Sequence, residues 1–432
     1  MLTRGTPTLG LMTEPRAGLT TDPRPTRVHA ALAGSVLTMV SRFSGLAWWV
    51  QVVLVYAASR VVSFAILAAA ALQQGSNPWL GAQPDYWHFV QIWDSEWYGR
   101  IVEGGYPSVL PRSATGELQQ NAWAFYPVYP LLVRALGALP GLPWQAWAQI
   151  VALVAGFAAA VVLYRLFRHR ADHGDALWGV AFVALFPVSA ILQIPYAESL
   201  GLLFLAWALL WIVERRYLAA MPAVALAALT RPVGVPLALM LGGLFVVRLM
   251  QTVRQRPSER ATAAELARLA ALTAVGVASA AAWPLIAWAV TGVPDAYTAT
   301  ETVWRGGPLV PFLPWFDTGQ YLFGPVLGAI APMVLVALAA LYFTSGHVRR
   351  IGLEMLLWCV AYVAYLLAVL HPQTSTFRMM LPLFPLALAS ATLSRSRAYR
   401  WATVVLFVLL QIVWVVWLWV WAQLPGGGDW PP

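Results

Sequence analysis

The chain has 432 residues, of which 60% are hydrophobic and 10% are charged, and its apolar runs reach the roughly 18 residues that a membrane-spanning helix needs. Its formal charge of +9 comes from arginine, since the sequence contains no lysine. These values exclude a soluble domain. In a polytopic protein a basic excess reports orientation, so we expect no nucleic-acid partner.

The N-terminal segment 1–45 is rich in Thr, Pro and Arg and lacks a signal-peptide core. It predicts a disordered cytoplasmic tail, followed by a membrane domain at 46–424 and a short external C-terminal tail at 425–432. The single cysteine, Cys359, lies in an apolar run, so no intramolecular disulfide can form.

The membrane domain predicts an all-α polytopic bundle, because long apolar runs without strand-like alternation satisfy their backbone in lipid as helices. We expect about 11 transmembrane helices with these approximate bounds: 46–72, 145–167, 176–194, 198–213, 217–230, 233–250, 268–290, 321–345, 351–370, 379–394 and 401–423.

The arginine-rich turns between these spans predict a multi-pass protein of the cell membrane with a cytoplasmic N-terminus. The prediction requires that 125–139 does not cross, and two prolines and Arg134 favour a shallow or re-entrant helix there. Polar chemistry then falls on the external side, in a large first loop with amphipathic helices and in four shorter stretches: 73–144, 193–199, 229–234, 291–320 and 371–378.

The stretch WDSEWYGRIVEGGYP, residues 93–107, concentrates charged and aromatic residues in the first loop. On a helix, Glu96, Arg100 and Glu103 form one stripe that a solvated ion pair explains. Asp94 lies on the side of Tyr98, where no arginine four residues away can neutralise it. It is either a helix N-cap or a carboxylate beside an aromatic cavity, available as a general base.

Aromatic residues surround this aspartate in the sequence. Each ring alone is explained as an interfacial anchor, whereas together they would form the walls of a sugar site. The candidates are Trp87, Trp93, Trp97, Tyr98, Tyr106, Trp123, Tyr126 and Tyr129.

Three further ionisable residues stand at the outer ends of spans. Glu198, after PYA, is either functional or favoured by the helix dipole. Arg231 and Arg378 either snorkel to lipid headgroups or bind an anion, and the scarcity of outer arginine favours a phosphate, which the guanidinium binds through two hydrogen bonds.

The remaining polar residues make weaker candidates. Arg60 lies within the first span and needs a structural partner. His371 and Asp317 are isolated loop residues, and no HExxH, CxxC, Walker or GxGxxG motif occurs in a supporting context.

Five blocks, in order, resemble the PIG-V mannosyltransferase family of the GT-C glycosyltransferase superfamily. WDSEWYGRIVEGGYP is similar to its WD-x-x-WY-x-x-I-x-x-x-GY signature, and the other blocks are AFYPVYPLLVRAL, PYAESL, ALTRPVG and FRMMLPLFPL. The resemblance covers roughly 46–394. It departs after Arg378, where relatives often carry Tyr and this chain has Met379.

The resemblance implies a GT-C-like bundle that transfers mannose, with inversion, from a polyprenyl-phosphate-mannose donor to an acceptor hydroxyl on the non-cytoplasmic face. It implies Asp94 as the general base, Glu198 and Tyr196 in the PY-x-ES block, and Arg231 and Arg378 in contact with the donor phosphate. Trp93, Trp97, Tyr98 and Tyr126 are further candidates for substrate binding.

No cofactor is expected, because the lipid-linked sugar is a substrate, and no divalent metal is implied. Expected partners are the donor, membrane lipids and a lipid, glycan or protein acceptor. The alternatives are a transporter or flippase of lipids or lipid-linked sugars, which should place polar residues on both faces, and a structural membrane subunit, which would not require Asp94 and Arg378 to converge.

Overall fold

The computed structural model describes residues 41–254, 261–425, 429 and 431–432. The chain divides into two compact units, Met1–Ala47 and Trp48–Pro432. In the first unit the structure describes residues 41–47, of which 41–44 are helical. The predicted disorder of the N-terminal tail therefore lies almost entirely outside the described residues. The second unit contains all the elements discussed below.

The second unit is built from helices and connecting loops, and in the described part of the chain its only β pairing is an isolated bridge between Arg112 and Leu118. Its α-helices are α1 (Trp48–Ala71), α2 (Tyr86–Phe89), α3 (Asp94–Gly104), α4 (Val128–Gly137), α5 (Trp144–Arg168), α6 (His173–Ala184), α7 (Glu198–Val213), α8 (Tyr217–Ala228), α9 (Gly234–Val253), α10 (Ala263–Thr291), α11 (Ala296–Arg305), α12 (Leu313–Thr344), α13 (Gly346–Arg349), α14 (Leu353–Val369), α15 (Pro385–Leu393) and α16 (Arg397–Trp414). Short 3₁₀ segments lie at Ala122–Ala124, Ser189–Gln193 and Thr374–Leu383, and a π-helical turn at Val415–Trp419 follows α16.

The all-α polytopic class is confirmed. Over the described ranges, six helices are long and apolar enough to cross a membrane, namely α1, α5, α9, α10, α12 and α16 with its π-helical turn. A seventh is added if the bent pair Thr374–Leu383 and Pro385–Leu393 counts as one span. Each of the 11 predicted segments is helical in part, but α7, α8 and α14 have only 12 to 17 residues.

The segment predicted as a single span at 176–194 is broken. Helix α6 ends at Ala184, and a 3₁₀ segment begins at Ser189. The break contains Pro187, which has no N–H to continue the helical ladder. Arg60 of α1 compensates the break by donating hydrogen bonds to the carbonyl oxygens of Ala184 at 2.5 Å and Ser189 at 2.6 Å. Arg60 thus has the structural role expected of it, with backbone carbonyls as its partners.

The stretch 125–139 contains α4, whose ten residues span about 15 Å, half the thickness of a bilayer core. The helix is therefore too short to cross, as the predicted topology requires. It packs its buried side against α3 and α5 through Tyr129 and Val133. Helix α4 thereby supports the loop that carries Asp94.

Candidate functional site

Four ionisable side chains from four separate connections meet at one end of the bundle. Asp94 is the first residue of α3, Glu198 is the first residue of α7, Arg231 lies in the turn between α8 and α9, and Arg378 lies in the 3₁₀ segment after α14. We refer to these four residues as the charge cluster. Their convergence places the polar stretches 73–144, 193–199, 229–234 and 371–378 at the same end of the molecule.

The charge cluster is linked by ion pairs. Arg378 Nη1 donates to Asp94 Oδ2 at 2.5 Å and lies 3.7 Å from Glu198 Oε1. The same glutamate oxygen lies 3.2 Å from Arg231 Nη2. The four side chains are 4 to 16% exposed, and their formal charges cancel. Mutual neutralisation is what allows four charges to be buried beside a membrane.

Asp94 occupies a constrained position. The preceding residue, Trp93, has a φ of 64°, a conformation that non-glycine residues rarely adopt, and serves as the N-cap without a side-chain capping bond. The N-cap explanation for Asp94 is therefore wrong, because its carboxylate turns to Arg378 instead. Its backbone N–H donates to the Tyr196 hydroxyl at 2.9 Å, so the PYAES block positions the aspartate directly.

Glu198 and Arg378 retain hydrogen-bonding capacity. Both Glu198 carboxylate oxygens and Arg378 Nε are buried and have no hydrogen-bond partner among the described residues. A small cavity of about 30 Å³ adjoins them and is also lined by Arg231 and Met379. This end of the site can therefore accept a further donor or acceptor group.

Two larger cavities meet beside the charge cluster. The inner cavity, of about 160 Å³, is lined by Asp94, Arg231 and Arg378 together with aromatic residues. The outer cavity, of about 490 Å³, extends from it toward His371 and Gln373. Five residues line both cavities and form their junction, namely Tyr126, Pro232, Glu301, Trp304 and Met379.

The predicted aromatic residues separate into two groups. Tyr98 and Tyr126 line the inner cavity, and burial raises the pKa of the Tyr98 hydroxyl, which therefore stays protonated and can donate a hydrogen bond. Trp93 and Trp97 do not line either of the two larger cavities, contrary to their expected role in binding, because their rings pack on protein. Trp93 packs on Trp79, and Trp97 stacks on Phe125.

The other rings of the first loop have structural positions. Tyr106 and Trp123 pack with Trp283 of α10, and Tyr129 donates to the Ala148 carbonyl oxygen. Trp87 is 60% exposed. Tyr106, Trp123 and Tyr129 therefore fix the first loop on the bundle, and none of the four rings lines the inner cavity.

The stripe of Glu96, Arg100 and Glu103 on α3 contains the ion pair that its spacing predicts. Arg100 pairs with Glu96 at 2.6 Å and lies over the Trp97 ring. Glu103 accepts a hydrogen bond from Trp144 Nε1 at 2.9 Å. These groups lie on a different face from Asp94, and neither acid lines the inner cavity.

Sequence reasoning missed Glu301, Trp304 and Gly201. The first two belong to ETVWR on α11, and a Trp beside a Glu/Arg pair at i,i+4 spacing in a predicted external loop was an available signal. Gly201 follows Glu198 by one helical turn, and a Cβ there would lie 2.9 Å from Arg231 Cγ. The glycine makes room for the arginine.

The weaker candidates remain apart from the charge cluster. His371 lines the outer cavity, and Asp317 on α12 lines neither cavity.

Met379, at the departure from the family pattern, has its sulfur 3.6 Å from Arg231 Nη2 and lines both cavities. Within the described ranges, no group of three His, Cys, Asp or Glu side chains is arranged to hold a metal ion.

Comparison with known proteins returned only remote structural similarity. No family model and no curated protein matches the chain. Solved structures of the oligosaccharyltransferase of Archaeoglobus fulgidus are similar to 84% of it. The complex with Zn and sulfate has 15% identity and a TM-score of 0.35, and AglB with an inhibitory peptide and a dolichol-phosphate has 13% identity and a TM-score of 0.39. The match covers 48 and 55% of those chains, so this chain spans about half their length, and at such TM-scores the likeness assigns neither a family nor an activity.

Proposed function

We propose that this chain is a GT-C-type membrane mannosyltransferase of the PIG-V kind. It transfers mannose from polyprenyl-phosphate mannose to an acceptor hydroxyl on the external face of the membrane. The observation that carries the proposal is the convergence of Asp94, Glu198, Arg231 and Arg378, which come from four of the family-like blocks, in one ion-paired cluster. Three of them, Asp94, Arg231 and Arg378, line the inner cavity. A structural subunit would not require that convergence.

The reaction follows from the chemistry of these groups. The acceptor oxygen forms a bond to the anomeric carbon of mannose as the bond from that carbon to the phosphate oxygen breaks. The electron pair leaves with the phosphate, and the proton of the acceptor hydroxyl passes to Asp94. Attack opposite the leaving group inverts the anomeric centre. Arg231 and Arg378 stabilise the charge that develops on the phosphate.

Because Arg378 is paired with Asp94, binding of the donor phosphate also changes the state of the base. A phosphate is a bidentate partner for a guanidinium and competes with the carboxylate for the same N–H groups. Binding of the donor therefore draws Arg378 away from Asp94 and leaves the carboxylate free to accept a proton. The base becomes available only when the leaving group is in place.

The first prediction tests Asp94 as the base. Asp94→Asn keeps a carbonyl oxygen for Arg378 but cannot accept the proton, and general-base catalysis contributes about 10²- to 10⁴-fold, so we expect transfer to fall by at least about 100-fold. Transfer of labelled mannose from polyprenyl-phosphate mannose is measured in membranes containing each variant. Arg378→Ala should lose a similar amount.

Glu117→Gln is the matched control, because Glu117 is an exposed carboxylate of the first loop that lines neither cavity, and it should retain wild-type transfer. Full activity of Asp94→Asn would remove the proposed base. Movement of the lipid-linked sugar across the membrane without a covalent product would instead assign the chain to the transporters. Mass spectrometry of the labelled product identifies the acceptor.

A further inference from the structure

Glu301 is a second carboxylate at the site. It lines the inner cavity with Asp94 and also the outer cavity, so it stands at their junction. Of the described residues that line either of these two cavities, Asp94 and Glu301 are the acidic ones. Asp94 lies beside the arginines, whereas Glu301 faces the larger space that remains for a second substrate.

Helix α11 is held firmly against the first loop. Trp304, one turn after Glu301, packs edge-on against Trp97 at 5.1 Å, and Trp97 lies one turn after Asp94. Trp304 Nε1 donates to the Asn121 carbonyl oxygen at 3.2 Å, and the Asn121 amide donates to Thr300 Oγ1 at 3.0 Å. Because residues three apart share a helix face, these contacts set both carboxylates toward the same cavity.

The surroundings of Glu301 differ from those of Asp94. In the part of the chain that the structure describes, no arginine lies within ion-pair distance of the Glu301 carboxylate. Burial raises the pKa of Glu301 to about 7, and the charges of Arg305 and Arg231 and the nearby Tyr297 hydroxyl oppose the rise. Besides Glu301, the titratable and charged groups that line the two cavities are Asp94, Tyr98, Tyr126, Arg231, Tyr297, Arg305, Tyr362, Tyr365, His371 and Arg378.

Hydroxyl-bearing side chains continue from Glu301 into the outer cavity. The Tyr126 and Tyr297 hydroxyls are hydrogen-bonded to each other at 3.0 Å, and Thr298 and Thr302 line the same space. A carboxylate among phenol and hydroxyl groups and tryptophan rings suits an alcohol ligand, because it supplies a hydrogen-bond acceptor at the edge of an apolar wall.

We propose that Glu301 is the acceptor-binding carboxylate of the site. It accepts a hydrogen bond from a non-reacting O–H or N–H group of the acceptor substrate in the outer cavity, so that the reacting hydroxyl, whose single proton points to Asp94, is held in line for attack. This role rests on the proposed function. Inversion requires the acceptor to approach from the side of the sugar opposite the phosphate. Glu301 lines the junction of the two cavities, whereas Arg231 and Arg378 form their ion pairs with Glu198 and Asp94. Asp94 then receives the proton, and the atoms balance as described above.

Kinetics with two separately varied substrates test this role. Membranes of the source organism supply the acceptor, after the gene for this protein has been deleted so that they lack its activity. The donor is labelled polyprenyl-phosphate mannose. For Glu301→Gln we expect the half-saturating amount of acceptor membrane to rise about tenfold, because a neutral amide replaces the charged acceptor of the hydrogen bond. The half-saturating donor concentration should stay within about twofold of the wild type.

The possible outcomes separate the two proposals. No transfer by the wild type would overturn the proposed function and this role together. Wild-type transfer with unchanged acceptor saturation in Glu301→Gln would overturn the role of Glu301 alone. Glu301→Asp, which restores a carboxylate, should recover part of the acceptor saturation, and Glu117→Gln should behave as the wild type. Equal unfolding temperatures of the variants in detergent show that the effect is on binding rather than on folding.

Discussion

Asp94 and Arg378 form the shortest link of the charge cluster, at 2.5 Å, although 284 positions separate them in the chain. The sequence indicated both residues, because ionisable groups next to a membrane are costly without a purpose. It did not indicate that they neutralise each other, since that pairing depends on where the 3₁₀ segment after α14 returns to α3. The aspartate that seemed unpaired on its own helix is paired by tertiary structure.

Glu301 shows the opposite limit of sequence reasoning. Its spacing from Arg305 is that of an ordinary solvated pair on a helix surface, so apart from the neighbouring tryptophan the local pattern does not distinguish it from such a pair. Its position at the junction of two cavities depends on the contact of Trp304 with Trp97. Burial by that packing, not the local sequence, raises the pKa of the carboxylate.

The pH dependence of transfer follows from this shift. The pKa of Glu301 is raised to about 7, so the carboxyl is neutral below that pH and ionised above it. Only the ionised form accepts a strong hydrogen bond from the acceptor. At limiting acceptor, wild-type transfer should therefore rise about tenfold between pH 6 and pH 8, as expected for one group titrating near 7.

The comparison with Glu301→Gln isolates this group. The variant should lack the rise, and its difference from the wild type should shrink below pH 6, where both side chains are neutral. The Glu117→Gln control should keep the wild-type profile. An identical rise in Glu301→Gln would show that another group controls the pH dependence.

The elements present the site residues at their ends. Asp94 and Glu198 are the first residues of α3 and α7, where the partial positive charge of a helix N-terminus favours a carboxylate. Arg231 lies in the turn between α8 and α9, directly before Pro232 and three residues before Gly234. The sequence predicted the bounds of α7 and most helix centres from its apolar runs. The prediction of one continuous span at 176–194 was wrong, because the apolar run gives no sign of the break after α6. The carbonyl oxygens that the break leaves without helical partners accept hydrogen bonds from Arg60.

The close approach of α7 to Arg231 gives a prediction for these elements. A Cβ at Gly201 would lie 2.9 Å from Arg231 Cγ, closer than two carbons can approach, so Gly201→Ala should push the arginine away from Glu198. We expect transfer to fall about tenfold or more, because a displacement near 1 Å at a catalytic group can cost 100-fold. The measurement is the rate of mannose transfer at saturating donor.

Gly242→Ala on α9 is the matched control, since nothing lies within 4 Å of a Cβ there. It should retain activity and slightly stabilise its helix, because alanine is the better helix former. If Gly201→Ala were as active as Gly242→Ala, the packing of Arg231 against α7 would not matter for transfer.

Helices α9 and α14 connect the site at one of their ends to a second set of ion pairs at the other. Helix α9 begins three residues after Arg231 and carries Arg248 near its other end, and α14 runs back from Glu354 toward the segment that holds Arg378. Glu354 lies 2.9 Å from Arg248 Nη2 and 3.3 Å from Arg170 Nη2. The pairs therefore fasten together the helices that present the two arginines of the site.

Glu354→Gln should reduce stability more than it changes chemistry. The carboxylate is 5% exposed and Arg248 is 9% exposed, so the substitution leaves a buried guanidinium without its charge partner. Loss of one partner of a buried pair costs about 3 to 5 kcal/mol. We expect a decrease of that order in the free energy of unfolding, measured by denaturant titration in detergent.

Glu214→Gln provides the comparison, because that carboxylate is 20% exposed and its basic partners are more exposed still. Exposed pairs contribute about 1 kcal/mol or less, so its effect should be small. Equal effects of the two variants would mean that the pairs of Glu354 do not fasten the helices. At a temperature low enough for the Glu354→Gln variant to stay folded, it should transfer mannose at most of the wild-type rate.

The contact between Trp93 and Trp419 bears on how the protein is made. Trp93 Nε1 donates to the Trp419 carbonyl oxygen at 2.9 Å across 326 positions of sequence, and the Trp419 ring lies against Tyr196. A chain emerging from the ribosome inserts its first loop long before the residue that holds Trp93, and with it Asp94, in place. The nascent protein therefore carries Asp94, the proposed base, without the support that orients it until α16 and the π-helical turn after it have entered the membrane.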